Sequence, residues 1–202
     1  PIIDTLNNLI ASGDQVNEIK AVLSGSLNFI FNNFSLNNPF HKTVLRAQEE
    51  GYTEPDPKID LSGIDVARKI LILARESGLK IELNEIEISP FLPKKSLKTS
   101  NNKEFFQSLI EHEDYFNKIL KNANENDSKL KYVASLKNGK AKVGLEEIPK
   151  GHNFYDLEGS DNIVLFYTNR YSNQPLIVKG AGAGAEVTAS GIFADIIRIG
   201  KR

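Results

Sequence analysis

Residues Gly51–Lys69 read GYTEPDPKIDLSGIDVARK. Gly51 is a natural stop for the helix that the pattern predicts over residues 41–50, because the position after a helix often takes a left-handed conformation that glycine adopts freely. Pro55 and Pro57 then restrict the backbone, so residues 51–60 are expected as an ordered loop rather than an element. From Leu61 the apolar spacing turns helical and runs to Ser77, with Gly78 as its stop.

Upstream of this stretch, Ile2–Ile10 reads as a short helix and Glu18–Leu23 as a strand. Leu27, Ile30, Phe31 and Phe34 lie at i, i+3, i+4 and i+7, one face of a helix. Asn37-Asn38-Pro39 breaks it with a turn. Downstream, Ile81–Ile88 alternates well enough to predict a strand, closed by Pro90 and Pro93. Residues 94–103 are expected as a surface loop. Phe105, Phe106, Leu109, Ile110, Phe116, Ile119 and Leu120 predict one long amphipathic helix, broken by the polar run 122–127. Leu130–Leu136 and Ala141–Ile148 flank Asn138-Gly139, a hairpin turn signal because both residues tolerate positive φ. Asn162–Thr168 and Pro175–Lys179 read as further strands and Glu186–Ile199 as a last helix. Helices first, then strands mixed with helices, give an α+β class.

The chain has 202 residues, enough for one domain or one domain and part of another. A formal net charge of −1 argues against a nucleic-acid partner. No apolar run reaches membrane-spanning length. Without cysteine there are no disulfides and no thiolate metal sites, and nothing suggests secretion, so a cytoplasmic protein is expected. The chain begins at Pro1 in an apolar helical pattern, and Ile196, Ile197 and Ile199 run nearly to its end. Both ends are expected to be cut from something longer.

Three segments could carry chemistry. In the first, Glu54, Asp56, Asp60 and Asp65 precede Lys69, and the two prolines hold Glu54 and Asp56 in a stiff loop. Asp65 and Lys69 are four apart, about 40° around the helix, so they share a face. A lysine beside carboxylates can exchange a proton with a reacting oxygen. The bland outcome is a surface ion pair. The apolar arc of Ile64, Val66, Ala67, Ile70, Leu71, Leu73 and Ala74 favours it, because Asp65 and Lys69 point away from its centre. Only Ile72, on their stripe, hints at a cover. In the second, Ser24-Gly25-Ser26 stands at a strand-to-helix junction, where helix N–H groups favour an anion, or where a serine simply caps. In the third, the run Gly180-Ala-Gly182-Ala-Gly184-Ala can be forced into G-x-G-x-x-A, yet the chain ends before a Rossmann unit could be completed. They are either a close-approach loop for a cofactor or a flexible connection. His41, His112 and His152 are scattered, so no metal site is expected.

At these residues the chain resembles homoserine dehydrogenase. The blocks are GYTEPDP at 51–57, Asp60 with Leu61, Ser62 and Gly63, and Asp65 through Lys69. Leu23–Leu27 with Ile30 and Phe31, and Gly180–Gly191 with Val187, Thr188 and Ala189, support it. Leu71–Glu76 after the block is closest to the form fused to aspartate kinase. The resemblance spans nearly the whole chain.

The resemblance implies an NAD(P)-dependent oxidoreductase that interconverts aspartate semialdehyde and homoserine on the way to threonine and methionine. Lys69 would exchange the proton at the substrate oxygen, and Asp65 would hold that end and Lys69. Glu54, near the amino group, and Asp60 would position the substrate, and Tyr52 would line the site. Gly25 and Ser26 would meet the carboxylate; Ser26 stands where threonine is common. Gly182, Gly184 and Thr188 would face the NADP or NAD cofactor. It further implies a mixed or antiparallel sheet with helices on one face, forming a substrate-binding and dimerisation domain over 1–180. Residues 181–202 would return to a nucleotide-binding Rossmann domain absent from this chain, along with a further lysine and most of a cation site. A homodimer through the sheet is expected, and little turnover from this chain alone. A non-catalytic amino-acid-binding module and an oligomerisation module are the alternatives.

Overall fold

In a computed structural model, which describes residues 1–201, the chain forms nine α-helices and six strands among the described residues. They are α1 (Ile2–Ala11), β1 (Val16–Val22), α2 (Gly25–Asn33), α3 (Phe40–Glu49), α4 (Pro57–Leu61), α5 (Ile64–Glu76), β2 (Glu87–Ile88), α6 (Lys94–Leu97), α7 (Asn102–Glu111), α8 (Glu113–Glu125), β3 (Ser128–Lys137), β4 (Lys140–Pro149), β5 (Asn162–Thr168), β6 (Leu176–Gly180) and α9 (Ala185–Gly200). The strands make one sheet in the order β2-β4-β3-β1-β5-β6, antiparallel except for β2 beside β4. The α+β class with a mixed sheet is as expected.

Strand alternation decides the layers. Ile19 and Ala21 of β1, Leu130, Tyr132 and Ala134 of β3, Val143 of β4, and Val164 and Phe166 of β5 join the main core. There they meet Leu27 and Ile30 of α2, Phe40 and Val44 of α3, Ile70 and Ala74 of α5, Phe105 of α7 and Phe116 of α8. The other face carries Val22, Val133, Ile163 and Leu165 under Phe154 and Leu157, so an irregular segment, not a helix, lies there. Helix α9 is exposed along its length, with Phe193 63% and Ile199 75% accessible, and is tied to α1 by Arg198 on Asp4 at 2.8 Å.

Several expectations fail for tertiary or capping reasons. The helix over 61–77 is divided at Gly63 (φ 74), and α4 begins inside the expected loop because Asp56 caps it and Pro57 takes its first position. The strand over 81–88 is mostly a 3₁₀ turn, Leu83–Glu85, closed by reciprocal Glu82 and Glu85 caps; only Glu87–Ile88 pairs. The loop over 94–103 contains α6, fastened by Ser96 to Ser108 at 2.8 Å. The polar run 122–127 breaks the chain only after Glu125, because Ala123 is buried.

The long helix over 105–120 is divided at His112 into α7 and α8. Glu113, at the start of α8, is drawn to another element. Its carboxylate accepts the Phe40 N–H at 2.9 Å and meets His41 Nδ1 at 2.8 Å, capping α3 from outside. Proline 39 has no side chain that could cap. Glu113→Ala removes both partners and should destabilise the fold by about 1–2 kcal/mol. Glu113→Gln keeps an acceptor and should lose less, a ranking that urea unfolding of the two variants reads.

Candidate functional site

Helix α2 starts where β1 leaves the sheet. Ser24 is its N-cap, accepting the Leu27 N–H at 3.2 Å. The N–H groups of Gly25 and Ser26, the next residues, have no acceptor within the helix. Gly25 lies close under the next segment: a Cβ there would lie 3.0 Å from the Ser160 carbonyl oxygen, a tight contact. Ser24 and Ser26 share a hydroxyl hydrogen bond of 2.9 Å, and Ser26 donates to Asp60 Oδ1 at 2.9 Å. The other oxygen of Asp60 accepts the Glu54 N–H at 2.9 Å. Asp60 thus ties the acidic loop to the start of α2 with both its oxygens. Tyr52 is held on the same side by stacking on Phe29, 4.1 Å between centroids.

Helix α5 brings Lys69 to this junction. Val66, Ala67, Ile70, Leu71, Leu73 and Ala74 are buried, which turns Asp65 and Lys69 outward. They form an ion pair of 2.8 Å, and Lys69 Nζ also donates to the Leu23 carbonyl at 2.9 Å. The second bond aims the ammonium at the β1–α2 junction instead of along the helix. Ile72, whose position hinted at a cover, stays 48% exposed.

The fourth wall is the link between β6 and α9. Ser24, Gly25, Ser26, Tyr52, Glu54, Asp60, Asp65 and Lys69 line one cavity of about 430 Å³ with Ser160, Asn162 and Ala181–Gly184. A second hollow, about 260 Å³, adjoins it and shares Lys69, Asn162, Ala181 and Gly182. Lys69 therefore stands between two spaces. Larger hollows of about 550 and 680 Å³ lie elsewhere, one beside Phe29 and Leu130, one between α1 and α9. Neither joins acids, a lysine and a helix N-terminus, so chemistry and not size singles out this site.

The glycine link packs closely on the start of β5. A Cβ on Gly182 would lie 2.1 Å from Asn162 Nδ2. Gly184, at φ 126, precedes α9 without a side-chain cap. Of the residues singled out in the sequence, Asp56, Gly180 and Thr188 are outside this cavity lining: Asp56 caps α4, Gly180 lines the adjoining hollow, and Thr188 is one turn into α9 with its N–H on the Gly184 carbonyl. Sequence reading missed Ser160 and Asn162. The polar run Gly159–Asn162 before a strand was the available signal. Among the described residues no three His, Cys, Asp or Glu side chains gather to hold a metal ion, and no helix is long and apolar enough to cross a membrane.

Behind the cavity, Lys131 is fully buried and its ammonium meets Asn28 Oδ1 at 3.0 Å, Asn32 Oδ1 at 2.6 Å and the Leu157 carbonyl. Burial, with repulsion from Lys129, pushes this lysine down to about 8.

Comparison with known proteins places this arrangement. A bifunctional aspartokinase/homoserine dehydrogenase 2, chloroplastic, of Zea mays is 46% identical over 98% of the chain, which spans 22% of that relative. A homoserine dehydrogenase of Paracoccidioides brasiliensis is 40% identical over the whole chain, which spans 57% of it. A hyperthermophilic archaeal homoserine dehydrogenase solved in complex with NADPH superposes with a TM-score of 0.70 at 27% identity, over 98% of this chain and 51% of that one. The chain therefore spans about a fifth of the fused relative and little more than half of the unfused one. The family model described as homoserine dehydrogenase matches residues 1–197, and the chain belongs to that family.

Proposed function

We propose that this chain is the substrate-binding and catalytic part of an NAD(P)-dependent homoserine dehydrogenase that interconverts L-aspartate 4-semialdehyde and L-homoserine. The observation that carries the reading is one cavity holding the Asp65–Lys69 pair between acidic and N–H-bearing walls on one side and a glycine-rich link on the other. An amino-acid substrate brings a carboxylate, an ammonium and a reacting oxygen. The Gly25 and Ser26 N–H groups suit the carboxylate. Glu54, free at its side chain and held by its backbone, suits the ammonium. Tyr52 closes that side.

Lys69 serves the oxygen. In the reductive direction its ammonium gives a proton to the aldehyde oxygen as the carbonyl carbon is reduced; in the oxidative direction the neutral amine takes the hydroxyl proton back. Asp65 and the Leu23 carbonyl orient Nζ. The nicotinamide, NADP or NAD, supplies the hydride chemistry when bound. Gly182 and Gly184, with Thr188 further along α9, are the residues of this chain proposed to meet it. The NADPH complex of the archaeal neighbour supports that cofactor class.

Residues 1–180 are proposed as the substrate-binding and dimerisation domain, and 181–202 as the connection and helix that pack on a Rossmann domain elsewhere in the full-length protein. The exposed Ile192, Phe193, Ile196 and Ile199 of α9 support such a cover. An aspartate kinase in the same polypeptide, a homodimer through the sheet, and a cytoplasmic location complete the proposal; the kinase rests on the fused relative. The test is oxidation of NADPH or NADH by the full-length protein when aspartate semialdehyde is added. Turnover is expected, with little or none from residues 1–202 alone. No turnover with either nucleotide would sink the reading, and full activity of the fragment would sink the division into domains.

A further inference from the structure

The lysine behind the cavity has no role in the chemistry above, and its surroundings are unusual. Lys131 projects from β3, is fully buried, and has three hydrogen-bonding oxygens but, among the described residues, no carboxylate in ion-pair contact with its ammonium. A buried charge is retained only where its hydrogen bonds are met. Here three N–H donors meet three acceptors. Two, Asn28 and Asn32, are on successive turns of α2; the third is the Leu157 carbonyl.

The same asparagines use their amide N–H groups on the segment that follows Leu157. Asn28 donates to the carbonyls of Gly159 at 3.1 Å and Asp161 at 3.2 Å, and Asn32 to those of Leu157 at 3.1 Å and Gly159 at 3.0 Å. The segment thus runs along α2 from its last turn to its first, with the Ser160 carbonyl against Gly25. Two residues on, Asn162 enters the cavity wall beside Gly182. The network thus fixes the stretch that ends with Ser160 against the α2 N-terminus, and none of its hydrogen bonds involves Lys69.

We infer that Lys131 is a positioning residue for the subsite that takes the substrate carboxylate: through Asn28 and Asn32 it clamps residues 157–161 over the N-terminus of α2 and so sets the depth of that subsite. This deepens the reading of the site as one for an amino-acid substrate and rests on it. Removing the ammonium leaves the buried Asn28 oxygen and Leu157 carbonyl, and the partly exposed Asn32 oxygen, without their donor, which frees the segment to move over Gly25. The first turn of α2 then offers its N–H groups to a misplaced floor. Proton exchange at the other end of the substrate is untouched.

The experiment uses the full-length protein with Lys131→Met, and Asn32→Ala as a milder cut at an exposed member of the network. Steady-state kinetics and calorimetric binding of L-homoserine are read for both, normalised to folded protein. The expected result is a rise of about tenfold in KM for aspartate semialdehyde and in Kd for L-homoserine, the scale of one charge-assisted hydrogen bond. The kcat and the KM for the nucleotide should stay within about threefold, since neither depends on the carboxylate subsite. A merely structural lysine would lower the folded fraction and leave both constants unchanged; that outcome, or a fall in kcat alone, overturns the proposal. If Lys131→Met does not fold, Asn32→Ala decides by the same readings. Absence of turnover in the wild-type protein overturns the functional reading beneath; turnover with unchanged constants overturns the positioning role alone.

Discussion

Lys69→Ala in the full-length protein should lower kcat for aspartate semialdehyde reduction by about 10²–10⁴-fold, the usual worth of a placed general acid. The loss belongs in kcat because the groups proposed to meet the carboxylate and ammonium of the substrate are others, Gly25, Ser26 and Glu54. Binding of L-homoserine should therefore change little. The fold should tolerate the change. The side chain is 43% exposed, and it holds only the Leu23 carbonyl and the Asp65 carboxylate. An exposed i,i+4 pair contributes about 0.3–0.5 kcal/mol. Lys69→Arg sharpens the test, since a guanidinium keeps the charge and the partner but does not exchange its proton near neutrality. Arginine should be nearly as inactive as alanine. Turnover by either variant within about tenfold of wild type would remove Lys69 from the chemistry, a difference of only about 1.4 kcal/mol in barrier.

How much of this was visible in the sequence depends on what each element answers to. The β3–β4 hairpin answers to its own turn: Asn138 at φ 52 and Gly139 at φ 72 join Lys137 to Lys140, as the dipeptide implied. The buried arc of α5 follows its apolar spacing residue for residue, apart from the half-buried Ile64. The break at His112 does not follow from spacing, because it serves Glu113, whose partners are more than seventy positions away. The strand over 81–88 failed because Glu82 and Glu85 cap each other, a local contest that alternation does not weigh.

The site divides in the same way. Asp65 and Lys69 share a face by spacing alone, but that geometry is equally that of a surface pair. What distinguishes it is the bond to the Leu23 carbonyl, 46 positions away. Likewise the tie from Asp60 to Ser26 joins two motifs that the sequence presents as separate. Family resemblance named the acids and the serine together; only the fold assigns Asp60 two contacts within the chain. Ser160 and Asn162 lie far from either motif, so the polar run that holds them marks a loop but not which site it borders.

The largest stability effect should come from Gly63→Ala. Gly63 sits at φ 74, where an alanine is strained by about 1–2 kcal/mol. Its Cβ would also lie 1.9 Å from the Tyr132 hydroxyl and 2.6 Å from the ring carbon that carries it. Tyr132 has little room to yield: it is 1% exposed and its ring lies edge-on to Phe91, 5.8 Å between centroids. Overpacking of this kind costs a further 1–3 kcal/mol or so, for a total of about 2–5 kcal/mol. Thermal unfolding should show a Tm lower by roughly 5–15 °C for a chain of this size. The hydroxyl itself contributes little. It is buried without a hydrogen-bond partner, and burial pushes it up to about 12, so Tyr132→Phe should be neutral or slightly stabilising. Combining the two substitutions should return part of the loss, because one of the overlapping atoms is gone, and that coupling identifies the contact as the cause. The position matters to the site as well. Gly63 is the joint between α4, which carries Asp60, and α5, which carries Asp65 and Lys69. An alanine that folds must open that joint, separating the tie to Ser26 from the Asp65–Lys69 pair. Its activity per folded molecule should therefore fall, which Tyr132→Phe should not cause. A Gly63→Ala protein that unfolds within about 1 kcal/mol of wild type would show that the joint is slack.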